Sequence, residues 1–438
     1  MEVIHPRAAG IDVGSERLYV AVADGPVRVF DTFTASLHAL REHLVAEAVR
    51  TVALEATGVY WLPIYEVLEE AGIKVYVVNG AHVKRLPGRK SDMADCQWLA
   101  TLHSHGLLRS GFVPDEWIRQ LRDYQRLRQD HVQMASAHIL HMQKALDRMN
   151  LKIHEVLSDL MGVSGMRLVR AILDGERDPE RLLALCDVQI LRKKKDRMRQ
   201  ALHGHWKPEH LFALRQALQA WEFYQQQMAA CDQAIEATLQ EIAALIPPTD
   251  GPTPPQLIAK RIYHNAPQIT DLKRVLVRIT GGHDLAVLPA FTDYSILQLI
   301  AETGTNMSAW PTVKHFTAWL GLAPSSRQSG KRRRRERRFR NRAGRLLCVM
   351  ARSLARSNKI ALGGFYRRLR ATRGAAVANV ATARKLAVLY YNTLTHGLDF
   401  VEQGVQAYDR HYREHSLRRL QATARQFGMT LVPRPNTA

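Results

Sequence analysis

Cysteine is scarce in this chain and unpatterned where it occurs. The four thiols, Cys96, Cys186, Cys231 and Cys348, are scattered through 438 residues without paired spacing. That excludes a disulfide framework and a zinc module, and fits a reducing cytoplasm. No apolar run reaches the roughly 18 residues a membrane span needs. The opening "MEVIHPRAAG" lacks the basic-then-apolar pattern of a signal peptide, so a soluble, cytoplasmic protein is expected. Acids are also in deficit. Against 62 Lys and Arg there are 41 Asp and Glu, giving a formal charge of +21 and a pI near 10.1. Such an excess implies a polyanionic partner, with nucleic acid first and a membrane surface a distant second. No internal repeat is visible.

With 46% hydrophobic residues, the chain can bury about three ordinary cores. Near the start, "AAGIDVG", "RLYVAVAD" and "PVRVFDTF" read as an antiparallel meander. The helical run "SLHALREHLVAEAVR" follows, with Leu37, Leu40, Leu44 and Val45 near one face. Then "TVALEATG" reads as a buried strand, "VYWLPIYEVLEEAG" as a helix, "IKVYVVNG" as a strand, and "RKSDMADCQWLATLHSHG" as a helix. Three strands, helix, strand, helix, strand, helix is the order of the ribonuclease H-like fold. After Pro114 comes a long helix placing Leu121, Tyr124 and Leu127 at helical spacing, and a second long run starts at Pro208. At this length the pair is expected to pack as an antiparallel coiled-coil arm. The proline-rich "IPPTDGPTPPQ", from Ile246 to Gln256, reads as a linker, and a mainly helical region follows. The expected divisions are therefore 1–112, 113–246, 247–256, 257–400 and a helical tail at 401–438.

Asp92 and Asp95 lie three apart at the start of a helix, so their side chains share a face. Ser91 is a good N-cap, and first-turn acids complement the helix dipole without any ligand. Two further acids change the balance. Asp12 sits on or just after the first strand and Glu55 ends the fourth, and in a sheet of this order those strand ends are neighbours. Taken singly, Asp12 could hold a Gly10–Gly14 turn and Glu55 could pair with an arginine. Together, four carboxylates form a hard-oxygen set suited to magnesium or manganese. Two such ions about 4 Å apart stabilise phosphoryl transfer. "GIDVGSE" also resembles the first phosphate segment of sugar kinases and actin-like ATPases, but no second glycine-rich phosphate segment completes that site.

Toward the other end, eleven basic residues and one acid, Glu336, occupy the stretch from Arg327 to Arg345. They are Arg327, Lys331, Arg332, Arg333, Arg334, Arg335, Arg337, Arg338, Arg340, Arg342 and Arg345. Solubility would explain some of this, and contact with nucleic-acid phosphates explains the density better. A lesser cluster, "RKKKDRMR", spans Arg192 to Arg199.

Four segments together, "GIDVG", "ALEATGVYW", "RKSDMADCQWLA" and "WLGLAPSSRQSGK", resemble the DEDD transposases of bacterial insertion sequences of the "one-ten" family over most of the chain. The resemblance implies a RuvC-like nuclease domain joined to a carboxy-terminal transposase domain. It implies Asp12, Glu55, Asp92 and Asp95 as magnesium ligands and Ser329 as a nucleophile forming a covalent phosphoserine link to DNA. It also implies donor and target double-stranded DNA as substrates, a noncoding bridge RNA as guide, and a dimer or tetramer working at the bacterial nucleoid. One glycine precedes Lys331 where the family usually has two, which leaves Ser325 and Ser326 as alternatives. The competing functions are a RuvC-like junction nuclease using water and a noncatalytic nucleic-acid binder.

Overall fold

Short apolar runs form β1 (Ala8–Val13), β2 (Arg17–Val22) and β3 (Arg28–Asp31), followed by α1 (Thr34–Ala46), β4 (Thr51–Glu55), α2 (Trp61–Glu70), β5 (Lys74–Val78) and α3 (Asp92–Ser104), with β1 and β4 buried along almost their whole length. The computed structural model describes residues 2–80, 92–247, 265–324, 327–329, 332–334, 339–357 and 360–432; at 92–94, 327–329, 332–334, 402–409, 411–413 and 415–416 the description is of backbone alone. Ser91 and most of the proline-rich stretch lie outside the described residues. Two units result, Met1–Val113 and Pro114–Ala438.

In the first unit the sheet order is β3-β2-β1-β4-β5. The first three strands pair antiparallel, as the meander requires, and β4 and β5 run parallel to β1. One face of the sheet presents Ile11, Val13, Leu18, Val20, Val52 and Leu54 to α1 and α2. On the other face, Ala21, Ala53 and Val78 meet Cys96, Leu99 and Ala100 of α3. Leu37, Leu40 and Leu44 are buried as expected, whereas Val45 is 55% exposed. One residue further along a helix is a rotation of about 100°, which carries Val45 off the apolar stripe.

The second unit is helical. α4 (Glu116–Arg148) opens at Asp115, whose carboxylate accepts from the Ile118 N–H at 3.0 Å. Four short helices follow, α5 (Ile153–Val156), α6 (Val163–Leu173), α7 (Pro179–Ala184) and α8 (Val188–Ala201), and then α9 (Pro208–Ala244) returns along α4. The return is antiparallel: Arg128 meets Asp232, while Met142 shares a core with Leu214 and Leu218. That core extends through Leu168, Leu182 and Met198, so the short helices cap the far end of the pair. Beyond it come α10 (Leu272–Ile279), α11 (Asp293–Thr303), α12 (Val313–Trp319), the strands β6 (Arg327–Ser329) and β7 (Arg332–Arg334), α13 (Arg342–Ser353), α14 (Ala361–Arg373), α15 (Ala375–His396) and α16 (Leu398–Gln426).

The packed side of α4 is more polar than its apolar spacing implies. Leu127 is 49% exposed, and Gln125 and Arg128 occupy the buried positions. The Arg128 guanidinium pairs with Asp232 at 2.5 Å and also donates to the Tyr294 hydroxyl at 3.0 Å and the Asn265 carbonyl at 3.2 Å. Asp232 in turn accepts from the Gln268 N–H at 3.0 Å. Close by, Arg126 grips both oxygens of Glu302, at 2.9 and 2.8 Å, and Arg122 donates to the Ala301 and Glu302 carbonyls at the end of α11. No helix among the described residues is long and apolar enough to cross a membrane.

Burial also singles out His103 at the end of α3. Its ring is 1% exposed, its Nε2 lies 2.9 Å from Thr51 Oγ1, and its pKa is pulled down to about 4, chiefly by loss of hydration and secondarily by His5. Between pH 6.5 and 4 the unfolded chain binds a proton that the folded chain refuses, so stability should fall as the pH drops through that window. Denaturant titrations from pH 7 to 4 should show this loss in wild type. A His103→Gln variant should lose less, by up to about 3 kcal/mol at the acid limit. Parallel curves for the two proteins would refute the assignment.

Candidate catalytic and nucleic-acid-binding site

Register brings the first two acids together. β1 and β4 pair in parallel with Ile11 opposite Leu54, so Asp12 and Glu55 are the next residues on adjacent strands. In-register residues of parallel strands project to the same face. Gly10 identifies that face, because it alternates with Asp12 and lies directly beneath α3. A Cβ at position 10 would come within 2.3 Å of the Cys96 carbonyl oxygen and 2.4 Å of the Ala100 nitrogen. Only the missing side chain lets the helix backbone settle onto the strand.

The same packing sets the direction of α3. His103, in its last turn, bonds Thr51 at the beginning of β4, so the helix runs back toward the strand ends where Asp12 and Glu55 lie. Eight residues of helix from His103 to Asp95 and four of strand from Thr51 to Glu55 both cover about 12–13 Å. Asp95 is therefore level with Glu55. Electrostatics agree: burial pushes the Cys96 thiol up to about 11, and the carboxylates of Asp12 and Asp95 push it in the same direction. Asp92 begins α3, one turn nearer its end, with its backbone alone described.

Glu55 is 5% exposed, and its carboxylate occupies space that any side chain at Gly80 would take, since a Cβ there would lie 1.9 Å from Oε1. Neither Gly10 nor Gly80 stands out as functional in the sequence. The only available signal is a glycine two residues before an acidic strand end and another just after the last strand.

Ser329 falls at the end of β6. The basic run, read as part of a helical region, instead contains a two-stranded antiparallel ladder pairing Arg327 with Arg334 and Ser329 with Arg332. The flanks explain how the ladder is held. Gly321 (φ +72°) lets the chain leave α12 so closely under Phe339 that a Cβ would lie 2.3 Å from the Phe339 carbonyl oxygen. Asn341 caps α13 by accepting from the Gly344 N–H at 2.8 Å, and its amide donates to the Trp319 carbonyl at 3.2 Å. The "WLGLAP" segment thus fastens both ends of the strand pair. Arg340 and Arg342 are half-buried around the start of α13 and Arg345 is exposed, with its guanidinium 6.0 Å from the Phe339 ring centre. Ser325, Ser326, Lys331, Arg335, Arg337 and Arg338 lie outside the described residues.

One trio of ligand-type atoms among the described residues lies within 4.8 Å of one another, and it is elsewhere: Asp147, His154 and Glu155. The Lys152 ammonium stands 2.6 Å from Asp147, so that carboxylate already has its cation.

Two family models match the chain. Residues 9–151 match the DEDD transposase of the IS110 type, and residues 283–367 match the transposase of the IS116/IS110/IS902 family. The chain belongs to the IS110 family of transposases. It is accordingly a DNA-processing enzyme, and the DEDD class implies a divalent metal. No curated protein matches the chain. The transposase's first match covers all three described carboxylate positions, and its second covers the β6–β7 strands.

The two glycines should behave differently when given a side chain. Gly10→Ala forces helix and strand backbones apart and should lower the melting temperature of the first unit by several degrees. Gly80→Ala meets only the end of a flexible side chain, so it should leave the melting temperature nearly unchanged yet reduce transposition by displacing the Glu55 carboxylate. Full activity in Gly80→Ala would remove Glu55 from the working site.

Proposed function

We propose that this transposase cuts and rejoins DNA through a divalent-metal carboxylate centre of Asp12, Glu55, Asp92 and Asp95, with Ser329 as the nucleophile. The observation that carries the reading is the convergence of Asp12, Glu55 and Asp95 at one end of one sheet face. The sheet order with its single antiparallel excursion is that of ribonuclease H-like nucleases, which supports a RuvC-like assignment for the first unit. The donor set is all carboxylate oxygen and fits Mg²⁺, with Mn²⁺ as a substitute. When bound, the metal would supply positive charge against the scissile phosphate.

In the proposed chemistry the Ser329 hydroxyl gives up its proton and bonds the scissile phosphorus. The bond to the 3′ oxygen breaks, and that oxygen leaves as a hydroxyl. The resulting phosphoserine conserves the bond energy needed for rejoining. Arginines of the run from Arg327 to Arg345 neutralise the phosphates around the reacting strand. Basic side chains at the first turn of α13 are disfavoured by its dipole unless an anion lies between them, which is consistent with that role. Recombination needs several breaks held at once, so the working species is a homo-oligomer, and a noncoding bridge RNA selects donor and target.

Asp12→Asn and Asp95→Asn should each abolish strand exchange without unfolding the protein. If Asp95 served only the helix dipole, its loss would cost at most about 1 kcal/mol and leave exchange intact. On a nicked suicide substrate, wild type should migrate as a covalent protein–DNA adduct and Ser329→Ala should not. An adduct in the variant would move the nucleophile to Ser325 or Ser326, and cleavage by wild type with no adduct would indicate a water-using nuclease.

A separate measurement addresses the basic run. Converting Arg332, Arg333, Arg334 and Arg335 to Gln should flatten the plot of log affinity against log salt, equally for unrelated DNA sequences. An unchanged slope would assign those arginines to solubility.

A further inference from the structure

The far end of the α4–α9 pair carries a charged surface that the proposed chemistry does not use. α8 holds six basic side chains and one acid. The acid, Asp196, is paired with Arg199, which also binds Glu180. Arg192, Lys193, Lys195 and Arg197 are exposed, and no ion pair engages them among the described residues. The cluster lies between the two segments that match the family, 9–151 and 283–367.

The helix is also bent here. Lys194 leaves helical geometry (φ −141°, ψ 18°), and its ammonium donates to the Val156 carbonyl at 2.6 Å. In a straight helix, consecutive side chains diverge by about 100°; with the bend, Lys193 and Lys194 both line one cavity of about 400 Å³. Its opposite wall is the Ser158–Gly165 stretch leading into α6. Two acids also line it, but Asp159 accepts from the Met161 N–H and Asp187 from the Gln189 N–H, both at 2.9 Å. No aromatic side chain is among the lining residues, so the cavity offers cations and polar groups and no platform on which a base could stack.

We infer that the capped end of the α4–α9 pair is a second, sequence-independent grip on a nucleic-acid backbone. One phosphate is held at the Lys193–Lys194 cavity, and neighbouring phosphates lie along Arg192, Lys195 and Arg197. The inference rests on the chain being a nucleic-acid enzyme, but neither on the carboxylate centre nor on Ser329. Because both DNA and RNA present the same phosphodiester, the probe must include each.

The test uses the full-length chain and a four-site variant, Arg192→Gln, Lys193→Gln, Lys195→Gln and Arg197→Gln, with binding followed by fluorescence anisotropy. The probes are a DNA duplex and an RNA duplex of equal length and sequence, titrated at several salt concentrations. All four positions are exposed, and a matching melting temperature shows that the fold survives. With at least one duplex, the variant should bind at least tenfold more weakly at low salt, and the slope of log affinity against log salt should fall by about 3 to 4. The duplex that shows the loss identifies the strand gripped, and Lys193→Glu alone should reproduce part of it. Unchanged slopes on both duplexes would overturn the inference while leaving the carboxylate chemistry standing. Failure of wild type to bind either duplex would overturn both.

Discussion

The sheet face that gathers Asp12, Glu55 and Asp95 depends on how closely α3 can approach β1, and that approach is possible because position 10 carries no side chain. At Gly10 the helix backbone rests on the strand backbone, with the Cys96 carbonyl and the Ala100 nitrogen where a Cβ would be. The contact fixes the height of the helix above the sheet, and the His103–Thr51 hydrogen bond fixes its position along the strands. With height and register both set, Asp95 has little freedom to be anywhere but beside the ends of β1 and β4. A site that must hold several like charges close together needs this rigidity, because repulsion among carboxylates would otherwise push a loosely held helix away.

Most of the fold could be read in the chain because apolar spacing reports it directly. The short β-rich runs "AAGIDVG" and "RLYVAVAD" and the unbroken helical runs after Pro114 and Pro208 each became the element they imply. The legible part of the site was that which depends on strand order, namely the meeting of Asp12 with Glu55. Less legible was whatever depends on shape. Gly10 and Gly80 act through the space they leave, and composition does not mark which glycines have a backbone or a carboxylate against them. The face of α4 was misread at Leu127 because a buried arginine looks like a surface residue until its partner, 104 positions away, is known. The β6–β7 strands were hidden for a related reason: arginine has no strong strand preference, and the pairing of Arg327 with Arg334 is set by the clamp at Gly321 and Asn341 outside it.

Charge is divided unevenly between the chain's two parts. The acids proposed to hold metal lie in the first unit, and the serine and the densest run of arginines lie in the second. A phosphate drawn to the arginines alone, or metal bound to the carboxylates alone, would give no reaction. The proposed chemistry requires both on the same phosphodiester, which makes strand cleavage conditional on assembly.

The Arg128–Asp232 pair has a mechanical consequence. It joins α4 to α9 and, through Tyr294, Asn265 and Gln268, ties both to the segments that follow. Beyond Arg128, α4 continues for about 30 Å, held along that length by α9. The pair is thus the fulcrum of a stiff lever. A tilt of about 10° at the fulcrum would swing the end of α4 through about 5 Å over that length. A load placed on the distal helices would return as torque at Arg128, where an ionic contact buried from water would feel a small change of angle most sharply.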